Sequence, residues 1–288
     1  GAAWSWDAFA SYARNKATFV SNNQLDLDRL ALGLRACNDA GVSADISDLM
    51  PGCTPVNLFN PLTTDMVDYI RFQGHDTNES RQTHARVNFS GPIGELNHRE
   101  ILVATGFEYR KEEGVDSPDP RISRAPRLNN YRATTSSPRE GTRGEYDLYE
   151  AYVETTVPLL ADMAWAQDLE LNAAARFSDY STFGSTTNTK LGLMWRVNED
   201  LMFRSNWAEG FRAPSILELY EGQRATFKPI NDPCSGDPSL TGCQNVPADY
   251  EQTASLQPVT VGGNTDLQPE TSENFNIGTV WSPESIQG

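Results

Sequence analysis

Six arginines lie within one proline-containing segment, residues 112–144, and form a dense group of potential anion-binding side chains. Each guanidinium presents paired N–H donors whose spacing matches the two oxygens of a carboxylate or a phosphate. The segment is typical either of a clamp for an anionic ligand or of an ordinary solvated loop, and both interpretations stay open. The six are Arg121, Arg124, Arg127, Arg132, Arg139 and Arg143.

Other side chains in long polar segments are suited to binding a ligand rather than transforming it. Aromatic residues such as Tyr131, Phe227 and Tyr250 can stack on the apolar face of a sugar ring. Arg212 precedes Ala213-Pro214 at the end of a candidate strand, so it either anchors the following loop, the interpretation that we favour, or contacts a ligand. The candidate ligand-binding residues are Arg124, Arg127, Arg132, Tyr131, Arg212 and Phe227.

The residue pattern gives little indication of a catalytic site. Glu150 and Glu154 could pair for general acid–base work, but no nucleophile motif accompanies them. We therefore expect no enzyme and no catalytic residue. The histidines are distant from the cysteines, neither cysteine pair has CxxC spacing, and we expect no metal site and no cofactor. Calcium binding by Asp232 and Asp237 stays open.

The cysteines and the charge indicate the compartment and exclude one class of partner. Cys37 with Cys53 and Cys234 with Cys243 form two local pairs, which fit loop-closing disulfides in an oxidising compartment better than free thiols. A formal net charge of −16 argues against a nucleic-acid partner, which would need a basic surface. No apolar run approaches the roughly 20 residues of a membrane helix. The mean hydropathy of −0.52 is still compatible with a membrane barrel, because half of each barrel strand faces water.

The elements that position these residues are strands. Eight stretches alternate apolar and polar side chains with the period of two that a strand requires. The clearest is 168–180, where Leu171 and Phe177 share one face and Arg176 lies on the other. A short helix is expected over Leu25–Ala36. The eight predicted strands are about 3–13, 68–90, 98–111, 145–157, 168–180, 186–197, 201–209 and 272–281.

The long connections between these strands all lie at the same end of the predicted sheet. On one side lie 14–67, 112–144, 181–185 and 210–271, of which three are long. On the other side lie the short segments 91–97, 158–167 and 198–200. Outer-membrane barrels have short periplasmic turns and longer extracellular loops, whereas a secreted β-sandwich, the alternative, has no reason to sort its loops.

The same alternation predicts which side chains face lipid. Leu193, Trp195 and Phe203 are expected to point outward with Leu171 and Phe177. Lys190 and Arg204 are expected to point inward with Arg176. A charged side chain at the lipid-facing midplane of a barrel costs about 2–4 kcal/mol, so this assignment is testable.

Several segments resemble the TonB-dependent outer-membrane receptors of Gram-negative bacteria. FRSNWAEGFRAPSILELY (203–220) and GGNTDLQPETSENFNIGTVWSP (262–283) are similar to the family's FRAP…EL and LxPE segments. LYEAYVETTVPLL (148–160), ARFSDYS (175–181) and VATGFEYRKEE (103–113) also fit, in the family's order.

The resemblance implies an all-β, antiparallel transmembrane β-barrel segment with long extracellular loops. The family has a barrel of 22 strands, a plug domain inside it and a TonB box that engages an energy-transducing complex. We therefore expect residues 1–288 to be about eight strands of a single barrel domain, with the plug domain and the C-terminal strands absent.

The function that the resemblance implies is energy-coupled uptake of a scarce solute, such as an oligosaccharide or a siderophore, across the cell outer membrane. The implied partners are outer-membrane lipid and lipopolysaccharide, the TonB complex through the N-terminal region, and a small-molecule or glycan ligand. Lipopolysaccharide phosphates are one candidate for the arginine-rich segment. The alternative is a passive porin or a surface-adhesin barrel, and a barrel enzyme is the third interpretation.

Overall fold

The computed structural model of the chain describes residues 3–38, 51–123, 133–237 and 239–283. These form an eight-stranded antiparallel sheet, a two-stranded hairpin and three short helices. The strands of the large sheet are β1 (Ser5–Leu25), β2 (Arg71–Leu96), β3 (Arg99–Ser117), β4 (Thr142–Met163), β5 (Ala166–Tyr180), β6 (Gly184–Arg196), β7 (Leu201–Arg212) and β10 (Glu270–Trp281). The hairpin strands are β8 (Arg224–Pro229) and β9 (Leu256–Val261), and the helices are α1 (Leu27–Leu34), α2 (Thr64–Ile70) and α3 (Ile216–Tyr220).

The large sheet is an open section of a barrel wall. Its strands follow in the order β1-β2-β3-β4-β5-β6-β7-β10, so each strand pairs with its neighbour in sequence apart from the inserted hairpin. The eight predicted strands and their antiparallel order are confirmed. Register shifts at Ser21/Gln24, Pro92/Gly94 and Pro158/Leu160 bend three of the pairings.

The predicted sorting of the connections is confirmed, although the boundaries move. The long connections 26–70, 118–141 and 213–269 emerge at one end of the sheet, which we call the loop end. The other end has only short connections among the described residues, and we call it the turn end. The predicted turns 91–97 and 158–167 are too long, because Asn97-His98 and Ala164-Trp165 alone join those strands.

The wall is uneven in height. The strands β1 to β4 have 19–26 residues, whereas β5, β6, β7 and β10 have 12–15. At the roughly 40° tilt of barrel strands, 12 residues rise about 30 Å, enough to cross a bilayer core. The register places the additional residues of β1 to β4 at the loop end, where we call them the tall wall.

Alternation divides the sheet into an apolar outer face and a polar inner face. On the outer face Leu171 lies opposite Leu193, and Trp195 lies opposite Phe203. Phe177 is also exposed there, as a lipid-facing side chain must be. The inner face carries Arg176, which lies 3.4 Å from the buried carboxylate of Glu150 and packs over the Tyr152 ring. The register therefore confirms the predicted grouping of the faces.

Tryptophans gather near the turn end. Trp165 lies in a turn, and its carbonyl accepts a 3.0 Å hydrogen bond from the indole of Trp195 on β6. Trp4 and Trp6 lie at the start of β1, and Trp281 ends β10, all of them exposed. A belt of tryptophan at one height is typical of the interface between lipid and water in membrane barrels.

The connection 26–70 has a small core of its own. Asp26 caps α1 by accepting hydrogen bonds from Asp28 N and Arg29 N, so the predicted short helix is confirmed. Tyr69 and Ile70 of α2 pack with Val56 and the partly buried Leu30. None of the helices in the described residues is long and apolar enough to cross a membrane.

Candidate ligand-binding site

The long connections fold against one another at the loop end and form what we call the cap, made of the described residues of 26–70, 118–141 and 213–269. The Arg121 guanidinium joins the first two, because its Nη2 lies 2.5 Å from Asp26 Oδ1 and 3.1 Å from Asp28 Oδ2. Leu27 N–H donates to the Ala133 carbonyl at 2.9 Å. Since the carboxylates of Asp26 and Asp28 are both buried, their contact with Arg121 is a desolvated ion pair rather than a surface contact.

A second arginine fixes the connection 118–141 to the tall wall. Arg139 forms ion pairs with Asp76 of β2, at 2.8 Å, and with Asp116 of β3. The neighbouring Glu140 N–H donates to the Gln223 carbonyl of the third connection at 2.8 Å. Two of the six clustered arginines therefore hold the cap together, which explains their presence without a ligand.

The third connection is fixed where it leaves the sheet. Arg212, at the end of β7, forms ion pairs with Glu218 of α3 at 2.9 Å and with Glu270, the first residue of β10, at 2.7 Å. Ser215 caps α3 in a reciprocal capping box with Glu218. These contacts, led by the Arg212 hydrogen bond, lower the pKa of Glu218 from 4.5 to about 2. Arg212 is an anchor here, which agrees with the interpretation that we favoured from the sequence.

The helix α3 lies against the inner face of the tall wall. Its Ile216 packs on Gly114 of β3, where a β-carbon would lie 3.1 Å from the Ile216 side chain. A β-carbon at Gly144 of β4 would collide with the Tyr220 ring. The two glycines therefore permit close approach of the helix, and α3 becomes one wall of a cleft.

This cleft, which we call the mouth cleft, has a volume of 410 Å³ and lies between α3 and the inner face of β1, β2 and β3. The volume is within the range of small-molecule sites. Gln82 Nε2 donates to Glu112 Oε1 at 3.2 Å. The cleft therefore combines hydrogen-bonding amides, hydroxyls and carboxylates with an apolar wall. The polar inner-face residues that line it are Asn15, Asn78, Ser80, Gln82, Glu112, Asp116 and Thr142.

A second cavity, of 510 Å³, lies where β6 and β7 separate. Their pairing ends at Lys190 and Ala208, and beyond it the Glu209 carboxylate accepts hydrogen bonds from Thr189 N–H at 2.9 Å and Thr189 Oγ1 at 2.7 Å. Lys190 and Arg176 line this cavity. We call it the fork cavity, and it is the more basic of the two.

Of the six candidate binding residues, Arg212 is an anchor in the structure, and a ligand-binding role of the other five stays a prediction. Arg124, Arg127, Tyr131 and Arg132 lie outside the described residues. Phe227 lies in β8 of the hairpin and is half exposed. Neither Arg212 nor Phe227 lines the mouth cleft or the fork cavity.

Both predicted disulfides are present, Cys37–Cys53 and Cys234–Cys243. Asp232, one of the open calcium candidates, accepts hydrogen bonds from Cys234 N and the Tyr250 hydroxyl. Within the described ranges no group of three or more His, Cys, Asp or Glu side chains is arranged to hold a metal ion.

The residues of the mouth cleft were missed by sequence reasoning. Asn15, Gln82 and Glu112 belong to three strands and Ile216 to a distant helix, so no local motif joins them. The available signal was alternation, which places Gln82 and Glu112 on the inner faces of their strands.

An open antiparallel wall with an apolar outer face, a polar inner face and a folded cap at one end defines a membrane β-barrel of the receptor type. The chain belongs to the family described as TonB dependent receptor-like, beta-barrel, whose model matches residues 1–288. Proteins of this family are transport proteins of the outer membrane.

Individual relatives are similar over parts of their length. The probable TonB-dependent siderophore receptor PirA of Acinetobacter baumannii is 27% identical over 111 residues, which are 38% of this chain and 12% of that protein. The crystal structures of the siderophore receptor PirA from Acinetobacter baumannii and from Pseudomonas aeruginosa are similar over 74% of this chain, with TM-scores of 0.47 and 0.44 and 17% identity. The chain covers 30% and 33% of those two structures.

Proposed function

We propose that this chain forms part of the wall and cap of a receptor in the cell outer membrane of a Gram-negative bacterium, and that the receptor takes up a scarce solute by energy from TonB. The observation that carries the proposal is the cap folded over the polar mouth cleft on a barrel wall of this family. Binding would use the cap and the cleft, whereas passage through the barrel would need work from the TonB complex.

The ligand that we propose is a ferric siderophore. Support comes from the partial similarity to PirA, which is named a probable siderophore receptor. An oligosaccharide is the other ligand class that fits amides and a carboxylate beside an apolar wall. Outer-membrane lipid, including lipopolysaccharide, would surround the apolar outer face, with the tryptophan belt at one interface.

The test separates capture from transport. Cells that express the full-length protein as their sole siderophore receptor are given ⁵⁵Fe-labelled siderophores, with and without TonB. We expect binding in both strains and accumulation of label only in the strain that has TonB. Import at the normal rate without TonB would replace the proposal with the passive porin, and surface binding of cells or matrix without any import would favour the adhesin.

Deletion of residues 213–269 provides a test of the cap. The deletion should weaken capture while the barrel still assembles, as judged by heat-modifiable migration in electrophoresis. A shorter deletion of the hairpin alone, residues 224–261, leaves α3 and its Arg212 contacts in place. If both deletions leave capture unchanged, the connection 213–269 does not bind the solute.

A further inference from the structure

We infer that the mouth cleft is a binding subsite for a neutral or cationic part of the ligand that carries hydrogen-bond donors, and that it disfavours polyanionic ligands. The inference rests on the proposed function and names the ligand class of that site. It follows from three separate features of the cap and the tall wall.

The first feature is the charge of the cap. The described residues of the connections 26–70, 118–141 and 213–269 together contain 13 acidic and six basic side chains. A mouth with excess negative charge repels anions before they bind and concentrates cations. The effect weakens as salt shortens the Debye length.

The second feature is that described arginines of the cap are already paired with carboxylates. Arg121 bridges Asp26 and Asp28, and Arg139 bridges Asp76 and Asp116. Arg29 lies 3.9 Å from Asp26, and Arg224 lies 2.8 Å from Glu221. An anionic ligand would have to compete with these carboxylates for the same guanidinium groups.

The third feature is the chemistry of the cleft lining. Arg14 and Arg81 belong to the strands that line the cleft, but the register places their side chains on the outer face with Glu113, where both are bonded to Glu79, at 2.9 and 2.6 Å. Glu112 faces the same inner side as Gln82, and its Oε1 accepts a hydrogen bond from Gln82 and lies 3.8 Å from Arg110 Nε. A carboxylate has about four acceptor sites, so Glu112 can also accept a hydrogen bond from an ammonium, hydroxyl or amide of a ligand. A bound anion would meet this carboxylate without a free cation among the described lining residues.

The apolar wall of the mouth cleft also discriminates between ligands, by the shape and polarity of their chains. Ile216 and Leu217 of α3 line the cleft, and Leu217 is exposed. A methylene chain that ends in an ammonium group can lie along this wall and reach the carboxylate. A flexible chelate with aliphatic arms and one positive charge therefore fits better than a rigid aromatic polyanion.

The experiment compares two ferric complexes on the purified full-length protein in lipid nanodiscs, by calorimetry at low salt. One is a linear ferric trihydroxamate with a terminal ammonium and a net charge of about +1, and the other is a ferric tris-catecholate with a net charge of about −3. We expect the trihydroxamate to bind at least about tenfold more tightly, with a difference that shrinks at high salt.

Two matched variants locate the site. Glu112→Gln should weaken trihydroxamate binding by about tenfold, since a charge-assisted hydrogen bond is lost. Glu145→Gln removes the same charge from the adjacent strand, but its side chain belongs to the outer face with Lys111, so affinity should stay unchanged. Equal effects of the two variants would overturn the assignment to the mouth cleft.

The remaining outcomes are also decisive. Tighter binding of the tris-catecholate, lost in Lys190→Gln, would place the ligand at the fork cavity and refute the inference while leaving the proposed function intact. If neither complex binds and neither supports iron uptake by cells, the siderophore proposal itself fails.

Discussion

The contact of Arg121 with Asp26 and Asp28 gives the most direct quantitative prediction. In Arg121→Met, two carboxylates whose side chains are 5% and 1% exposed lose the guanidinium. Stranding one side of a buried ion pair costs about 3–5 kcal/mol. Asp26 keeps its capping hydrogen bonds from Asp28 N and Arg29 N at 3.1 Å, so we expect the lower end of this range, about 3 kcal/mol.

The assay is hydrogen exchange of the backbone amides that join the two connections. Leu27 N–H donates to the Ala133 carbonyl, and Thr135 N–H donates to the Leu25 carbonyl at 3.1 Å. A loss of about 3 kcal/mol corresponds to exchange faster by about two orders of magnitude. The amides of the β5–β6 pair should be unaffected, because they lie far from the cap contact.

A matched control is Arg14→Met. Arg14 also makes two hydrogen bonds to a carboxylate, at 2.9 Å to Glu79, but its side chain is half exposed, so its loss should change little. Unchanged exchange at Leu27 and Thr135 in Arg121→Met would refute the reasoning. The double variant with Asp28→Asn should recover part of the loss, and no recovery would mean that packing of the arginine stem, not charge, is responsible.

The remaining predictions concern the outer face, an ion pair and the orientation of the wall. Leu193→Arg should impair assembly in lipid far more than Lys190→Leu, by about 2–4 kcal/mol in a folding titration, and equal effects would mean that the assigned register is wrong. The folded pKa of Glu218 is about 2, lowered from 4.5, so the stabilisation of α3 by its carboxylate is present above about pH 4.5 and is lost as the pH falls towards 2. A spin label on α3 should therefore become mobile only in that acid range, and mobility independent of pH would contradict the role of the ion pair. A cysteine at Ser136 should react with an impermeant maleimide on intact cells and one at Glu199 should not, whereas labelling of the second would reverse the assignment of the two ends.

Alternation of apolar and polar residues predicts a strand only where the outer face of the sheet is apolar. The strand predicted over 98–111 continues to Ser117, and the strand predicted from 145 begins at Thr142. In these extensions Glu113 and Arg143 occupy the outer face, so both faces carry charged side chains and the periodic signal disappears. The parts of β1, β3 and β4 that rise above the apolar band therefore fall in predicted loops, whereas the same part of β2 lies within the predicted strand 68–90.

The site depends on contacts that the sequence does not specify locally. The arginine-rich segment is evident from composition, but the partners of Arg121 and Arg139 lie on other connections and strands. The mouth cleft depends on strand register and on the close approach of α3 at Gly144, which only the folded chain reveals. Arg212 was recognised as an anchor because its motif is local, whereas its second partner, Glu270, is 58 residues away.

The locality of the two disulfides affects the order in which the protein can fold. Cys37–Cys53 and Cys234–Cys243 have sequence separations of 16 and nine residues, and each pair lies within a single connection. Some strand pairings, by contrast, join residues that are distant in the chain, such as Ser5 of β1 and Ser90 of β2, and such contacts form slowly. Each cysteine pair can therefore oxidise on its own segment before β1 finds β2. Closure of a loop this short does not link one strand to another, so an early disulfide leaves the sheet free to assemble in any order.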